Sequence, residues 1–377
     1  MKNAKVIIAR LKAAGFEAYM VGGAVRDYLR GVTPHDIDVA TSATPQQVKA
    51  LFERTVDTGI EHGTVLVLFG GAGTEVTTFR TESGYSDNRR PDKVEFVNSL
   101  EEDLRRRDFT INAMAMTEAM EIIDPFGGKT DLNSGLIRAV GQAEERFSED
   151  ALRMLRAIRF SGQLEFRIDT ETLQAIKQHA ALIRSVAIER IKAELDKVLV
   201  SRAPGISMDY MLETELNVYL PAGGLFALDW SRYAPGDEPL AGWLYLLHHN
   251  DKTFEEIRPY RFSNQDKQDL QRAVDASRLE AWTDWDYYHY TERQLKIAQA
   301  VSHQQEAITE RQAALPIRTK SDLTVGGNDL MEWTGKKAGP WLKQWIFQIE
   351  QAVVVRRLAN DKERIKDWFL NEYHRHT

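Results

Sequence analysis

Two carboxylates stand two residues apart in PHDIDVA, residues 34–40, inside an otherwise apolar run. On a strand, where side chains alternate, Asp36 and Asp38 would share a face while Ile37 and Val39 point to the core. Like charges so placed repel, and a divalent cation is the first candidate to offset that cost. Upstream, YMVGGAVRDYLR sets Gly22 and Gly23 between a strand signal and a helix signal. Glycine lets the backbone approach a ligand closely, and N–H groups at a helix start suit phosphate. Arg26, one turn on, could add a bidentate phosphate contact. Downstream, TEVTTFR puts Glu75 on a strand that could lie beside the first two acids. Carboxylates near a phosphate-binding turn describe magnesium-assisted phosphoryl or nucleotidyl transfer. Taken singly, each feature has a plainer explanation: an ordinary strand–turn–helix for the glycines, a solvated acidic turn for the aspartates.

The elements that must position these residues are legible in outline. An amphipathic helix ends at Gly15, FEAYMV (16–21) is a strand, and AVRDYLR is a short helix that stops at Gly31. DIDVA is the next strand, and Thr44 followed by Pro45 is an N-cap and first-turn pair for PQQVKALFE. GTVLVLF and TEVTTFR read as strands joined by a GGAG hairpin, and KVEFV as a further strand. Ser99 and Glu102 form a capping-box pattern ahead of a helix over EEDLRRRDFTINAMAMT. From about residue 136 the strand signal fades into helical patterns in series. In SEDALRMLRAIRF, Ser148 as N-cap would place Asp150 and Arg153 at i and i+3, neighbours on one helix face and a plain local ion pair at the least. Arg156 and Arg159 continue at spacing three, which turns Arg159 nearly opposite Asp150. Arg105 and Arg106 read as a solvated face.

The bulk numbers set the frame. At 377 residues the chain is long enough for two or more domains. It is 43% hydrophobic and 28% charged, with a formal net charge of −7, so nucleic-acid contact is expected from local basic patches. No cysteine is present, which excludes disulfides, thiolate zinc sites and cysteine nucleophiles. There is no apolar run of spanning length, so no membrane association is expected. The N-terminal stretch carries Arg10 and Lys12 inside a helical pattern and reads as a folded helix, not a signal peptide. The expected compartment is the cytoplasm.

GGAVRD, DID, RRRDFTINAMA, DPFGGKTDL, SEDALRMLRAIRF and AIERIKAEL, in that order, resemble the motif series of the class II tRNA nucleotidyltransferases, the bacterial CCA-adding enzymes of the polymerase beta nucleotidyltransferase superfamily. The motifs cover residues 20–195. His248 and His249 are followed by Asn250, so the appended His-Asp phosphohydrolase domain of some relatives is not expected. The resemblance implies an α/β nucleotidyltransferase head, a small mixed sheet with helices, followed by an all-α neck, body and tail. The expected divisions are 1–137, 138–200, 201–300 and 301–377. It implies magnesium on Asp36 and Asp38, with Glu75 as the third catalytic acid. It also implies triphosphate contacts from Gly22, Gly23, Arg26 and Arg107, and an approach of Asp108 and Asn112 to the sugar. Asp150 and Arg153 would then hydrogen-bond the incoming base without a template. Arg156 and Arg159 would hold substrate or primer phosphate, or brace neighbouring helices.

The implied partners are tRNA, with ATP and CTP as substrates; a homodimer stays open. The polar loop within RTESGYSDNRRPDKVEFV, with Gly84, Arg89, Arg90 and Pro91, is linked in this family to the switch from C to A addition and favours full CCA activity. Basic stretches FEEIRPYRF, RQAALPIRTK and VVVRRLANDKERIKDWF are candidates for tRNA contact, although Tyr260, Phe262 and Trp368 within them read residue by residue as core. The alternatives are a poly(A) polymerase of the same superfamily, a catalytically inactive RNA-binding protein, and a nucleotidyltransferase acting on a small molecule.

Overall fold

Helix α1 (Lys2–Ala13) buries Ala4, Ile7, Ile8 and Leu11, the three-and-four spacing of a single apolar stripe. In the computed structural model, residues 1–34, 36–59, 63–83, 93–97, 99–302, 304 and 307–375 are described. They form two compact units, Met1–Arg232 with Pro259–Arg261, and Tyr233–Arg258 with Phe262–Thr377.

After a turn at Gly15 (φ 88°), β1 (Ala18–Val21) runs into α2 (Gly23–Leu29), which ends before Gly31 (φ 72°). Next come β2 (Asp38–Thr41) and α3 (Pro45–Leu51). Thr44 caps α3 with both halves of a capping box and Pro45 opens it, as expected. Strands β3 (Thr55–Gly59), β4 (Thr64–Phe69) and β5 (Ala72–Thr78) follow. The β4–β5 hairpin closes through Gly70 and Gly71, both at positive φ (59° and 79°), as a two-residue primed turn requires. β6 (Arg80–Ser83) pairs antiparallel with β7 (Lys93–Phe96). Residues 84–92, on which the switching-loop expectation falls, lie outside the described residues.

Ser99 Oγ does accept the Glu102 N–H (3.4 Å), but the helix expected over residues 101–117 is short. It runs as α4 (Leu100–Arg105), followed by a 3₁₀ turn Thr110–Asn112 and β8 (Ala115–Met116), which pairs with β1. The reason is burial: residues 109–116 are buried on all sides, so no helical stripe exists, and the edge of β1 offers a ladder instead. β9 (Ile122–Ile123) completes a sheet of order β3-β4-β5-β2-β1-β8-β9, with β2–β5 parallel and the other pairs antiparallel. This is the small mixed sheet expected of the head.

Helix α5 (Gly128–Asn133) starts under the Asp124 carboxylate, which accepts the Gly128 and Lys129 N–H groups (2.7 and 2.9 Å). A Cβ on Gly128 would lie 2.1 Å from the Thr110 carbonyl, so DPFGG seats α5 against the 3₁₀ turn. Then come β10 (Leu136–Ile137), α6 (Ala143–Glu149), α7 (Leu152–Leu164), β11 (Arg167–Ile168), α8 (Thr170–His179), α9 (Ile188–Leu199) and α10 (Pro204–Glu213). Gly162 lets α10 approach α7: a Cβ there would lie 2.4 Å from Ser207 Oγ.

The second unit is helical. Helices over Pro239–His249, Asn264–Ser277 and Glu292–Gln299 share the Arg293 guanidinium, which binds Glu238, Asp266 and Asp269 at 2.8 Å each. Trp345, Ile349, Val353, Ile365 and Phe369 form the core of helices Pro340–Val354 and Lys362–Arg375. Phe262 meets Trp243 edge-on and Trp368 meets Trp345, but both are half-buried, not core; in the first unit Tyr260 is fully buried, as anticipated. No helix among the described residues is long and apolar enough to cross a membrane.

Candidate active site

Sheet register brings the singled-out residues together. Val21 pairs with Asp38 across β1 and β2, so the Gly22–Gly23 turn leaves β1 beside the first residue of β2. Val39 pairs with Val76 across β2 and β5. One residue earlier on each strand, Asp38 and Glu75 therefore face the same side, away from buried Val39 and Val76. Asp36 lies in the bend before β2, two residues short of the strand expected to hold it, and Ile37 is half-buried. Asp36, Asp38 and Glu75 line one cleft of about 780 Å³. Burial and the neighbouring Glu75 and Asp36 carboxylates push the Asp38 carboxyl up, while Arg107 pulls it down.

Carboxylate oxygens that face one cleft are the ligand type a hard divalent cation takes. Among the described residues no three histidine, aspartate or glutamate side chains are grouped to hold one metal ion.

Gly22 is required twice over. Its φ of 73° with ψ −140° is closed to L side chains, and a Cβ would stand 3.0 Å from Arg107 Nη1 and 3.9 Å from Asp38 Oδ2. Arg107 is held there by Asp103, a carboxylate only 1% exposed that also binds Arg106 (2.7 Å). Arg105 is solvated and paired with Glu101, as expected of it. Arg106 is not: its side chain is 18% exposed and lines the next cleft, because Asp103 draws it inward.

That second cleft, about 500 Å³, is lined by Gly22, Gly23, Arg26, Asp38, Arg107, Asp108, Asn112, Asp150, Arg153, Arg156 and Arg159. Every nucleotide-binding residue expected from the sequence is therefore on one surface. A chain of hydrogen bonds crosses its floor. Arg26 Nη1 donates to Asn112 Oδ1 (2.8 Å), Asn112 Nδ2 to Asp108 Oδ1 (3.0 Å), and Arg156 Nε and Nη2 to Asp108 Oδ2 (2.9 and 2.6 Å). Burial pushes the Asp108 carboxyl up, but Arg156 and Asn112 outweigh it and hold it at about 2.

Ser148 does not cap a helix. It sits in the last turn of α6, donating to the Glu144 carbonyl (2.8 Å), and Asp150 is extended (φ −142°, ψ 101°) in the break before α7. The break arises because Asp150 Oδ1 accepts the Leu152 N–H (3.1 Å), starting a new helix there. Asp150 and Arg153 form no ion pair with each other: Asp150 Oδ2 binds Arg190 on α9 (2.8 Å), and Arg153 binds Glu149 (2.8 Å). Nor does Arg159 point away from Asp150, since the two belong to different segments and line the same cleft. Arg159 is 7% exposed, bound to Glu194 (2.6 Å) and Gln163 and lying 4.0 Å over the Phe160 ring.

Leu152, Phe160, Gln163 and Arg190 also line the cleft and are not among the residues expected from the sequence. Phe160 and Gln163 continue the stripe of Arg153 and Arg156 at helical spacing, a signal present in the sequence. Arg190 lies within AIERIKAEL, but nothing local links it to Asp150.

The family models agree with this architecture. The poly(A) polymerase head domain matches residues 18–138, the RNA and SrmB binding-site region of polymerase A matches 165–222, and tRNA nucleotidyltransferase domain 2 matches 238–369. The CCA-adding enzyme of Listeria monocytogenes is 40% identical, over 96% of each chain. That of Anoxybacillus flavithermus is 43% identical, over 98% of this chain and 96% of its own. The crystal structure of the Bacillus stearothermophilus CCA-adding enzyme in complex with CTP superposes with a TM-score of 0.85 at 39% identity, covering 100% of this chain and 98% of that one. The chain belongs to the CCA-adding enzymes, the tRNA nucleotidyltransferases with a polymerase-type head.

Proposed function

We propose that the protein adds C, C and A to the 3′ end of tRNA from CTP and ATP, without a nucleic-acid template and with release of pyrophosphate. The observation that carries this reading is that Asp38 lines both clefts, so an acidic groove and an arginine-rich nucleotide cleft meet at one carboxylate. Asp36 and Asp38 would hold magnesium, with Glu75 beside them. When bound, the metal supplies charge neutralisation at the triphosphate and activates the RNA 3′-hydroxyl.

The chain's own residues do the rest. The Gly22–Gly23 backbone, Arg26 and Arg107 would bind the triphosphate and orient it in line with the attacking hydroxyl. Asp108 and Asn112 would meet the ribose, with Arg156 fixing the carboxylate. Asp150 would accept from cytosine N4 or adenine N6. Arg153 would donate to cytosine O2 and N3 or to adenine N1. Uracil and guanine reverse the donor pattern at the exocyclic position and would leave buried groups unpaired, at about 1–3 kcal/mol each. Arg159, enclosed by Glu194 and Gln163, would brace α7 against α9. The head, neck, body and tail divisions at 137, 200 and 300 go with this reading. So does a cytoplasmic site of action, with the body and tail carrying tRNA.

The test is incubation with magnesium and a tRNA lacking its last three nucleotides, given CTP, ATP or both, with products sized on a sequencing gel. Two additions with CTP, a third only with ATP, and then a stop are expected. Long A tails from ATP alone would mean poly(A) polymerase, and no extension under any condition would overturn nucleotidyl transfer to RNA.

A further inference from the structure

Three guanidinium groups gather around one ring. Arg159 Cζ lies 4.0 Å from the centroid of Phe160, Arg26 Cζ 5.3 Å and Arg156 Cζ 5.6 Å. All three are within the range, about 6 Å, over which a cation is drawn to an aromatic face. Arg26 comes from α2, whereas Arg156 and Arg159 share α7 with Phe160. The ring is 4% exposed and meets Phe109 edge-on (5.8 Å, 85°), and the Phe109 N–H in turn donates to Asp108. Like charges gathered so closely repel. The Arg159 guanidinium is pushed below its ordinary value by burial and by Arg156, with Glu194 opposing. Carboxylates offset part of the repulsion: Asp27 binds Arg26 (2.9 Å), Asp108 binds Arg156 (2.6 Å) and Glu194 binds Arg159 (2.6 Å).

We infer that Phe160 is a positioning residue for the triphosphate, its ring holding Arg26 against the Gly22–Gly23 turn and keeping three cations together without cancelling their charge. The inference rests on the reading of Arg26 as a triphosphate ligand. An aromatic ring has no net charge but presents a negative face, and its pull on a cation grows where water is excluded. A carboxylate in this place would also hold the guanidiniums, but it would cancel charge that a triphosphate needs. Among the described residues seven arginines and three aspartates line the cleft, so the positive excess is kept. A leucine would fill the space and attract none of the cations. Arg26 is set where a phosphate on the turn would meet it: a Cβ on Gly23 would lie 3.4 Å from Arg26 Nη2, and Nη1 is tied to Asn112 (2.8 Å). Because α7 carries the ring and α2 carries Arg26, the contact also seats the α7 helix on the phosphate-binding turn.

The experiment measures kcat and KM for CTP on a tRNA lacking its last three nucleotides, and for ATP on a tRNA lacking only the terminal A. The proteins are wild type, F160L, R26A, and a protein with a ring-trifluorinated phenylalanine in place of Phe160. Fluorination keeps the ring in place but withdraws the negative charge from its face. F160L is expected to raise KM for CTP and for ATP alike, about ten-fold, with KM for tRNA within about two-fold of wild type. The trifluorinated protein is expected to show about half of that effect on a logarithmic scale, with a thermal midpoint near wild type. Wild-type KM values in the trifluorinated protein beside raised ones in F160L would mean that Phe160 only fills space, and would overturn the inference. A rise for one nucleotide and not the other would overturn it too, since the triphosphate is common to both. A raised KM in R26A beside wild-type values in both ring variants removes Phe160 alone, whereas a wild-type KM in R26A overturns the triphosphate role of Arg26 itself. If F160L does not fold, the trifluorinated protein decides by itself, and wild-type KM values there overturn the inference.

Discussion

Asp108→Asn tests whether the hydrogen-bonded floor of the nucleotide cleft stabilises the head. Asparagine keeps the shape and an acceptor for the Phe109 N–H (2.8 Å), but it removes the charge that binds both Nε and Nη2 of Arg156. The carboxyl is held at about 2 where 3.8 is ordinary. At 1.36 kcal/mol per pH unit, that difference contributes about 2 kcal/mol to folding at neutral pH. A depressed carboxyl stabilises above its unfolded value, near 4, and the contribution fades as pH falls through its folded value, with about half gone by pH 3. Equilibrium urea unfolding followed by far-UV circular dichroism at pH 7, 4 and 3 reads this directly. D108N should be less stable by about 2 kcal/mol at pH 7, and the gap to wild type should narrow by about half at pH 3. A gap that is absent at pH 7, or that stays constant down to pH 3, would refute the assignment of the low carboxyl to the Arg156 pair.

D38N should lower nucleotide incorporation by at least about 10³-fold with the fold intact, since it removes a charge from the pair proposed to hold magnesium. Retention of a tenth of wild-type kcat/KM would remove Asp38 from the chemistry. G22A must strain a backbone closed to L residues and displace Arg107. It is expected to cost about 1–3 kcal/mol in stability and about 100-fold in kcat/KM for CTP, and activity within three-fold of wild type would sink the account. G128A places a methyl group 2.1 Å from the Thr110 carbonyl and should shift the turn that carries Asn112. Calorimetry is expected to show a thermal midpoint lower by several degrees, and an unchanged midpoint would mean that DPFGG is not a packing device.

Local chemistry was readable from the chain alone. The Thr44–Pro45 cap, the Gly70–Gly71 turn and the glycine stops at 15 and 31 all follow from contacts within a few residues. The motif order, with Gly22–Gly23 close before Asp36 and Asp38, named the family because a nucleotidyltransferase needs those residue types in that succession. Reading failed where a local signal competed with a distant partner. RRRDFTINAMA looks helical by composition, but the open edge of β1 and burial on every side make its second half a turn and a strand. Ser148 looks like a cap, but the Asp150 carboxylate starts α7 itself.

Only the tertiary structure decided the pairings across the site. The parallel register of β2 and β5 brings Glu75 to the face of Asp38. The packing of α7 on α9, and the placing of α6 and α7 beside the end of α4, choose Arg156 for Asp108, Arg190 for Asp150 and the Arg105 and Arg106 carbonyls for Arg146 and Arg153. Each pair is 40 or more residues apart in sequence. At that separation nothing in local propensity distinguishes one arginine from another. Which of them meets a carboxylate depends on strand order and helix packing, and these are set by the burial of the whole core.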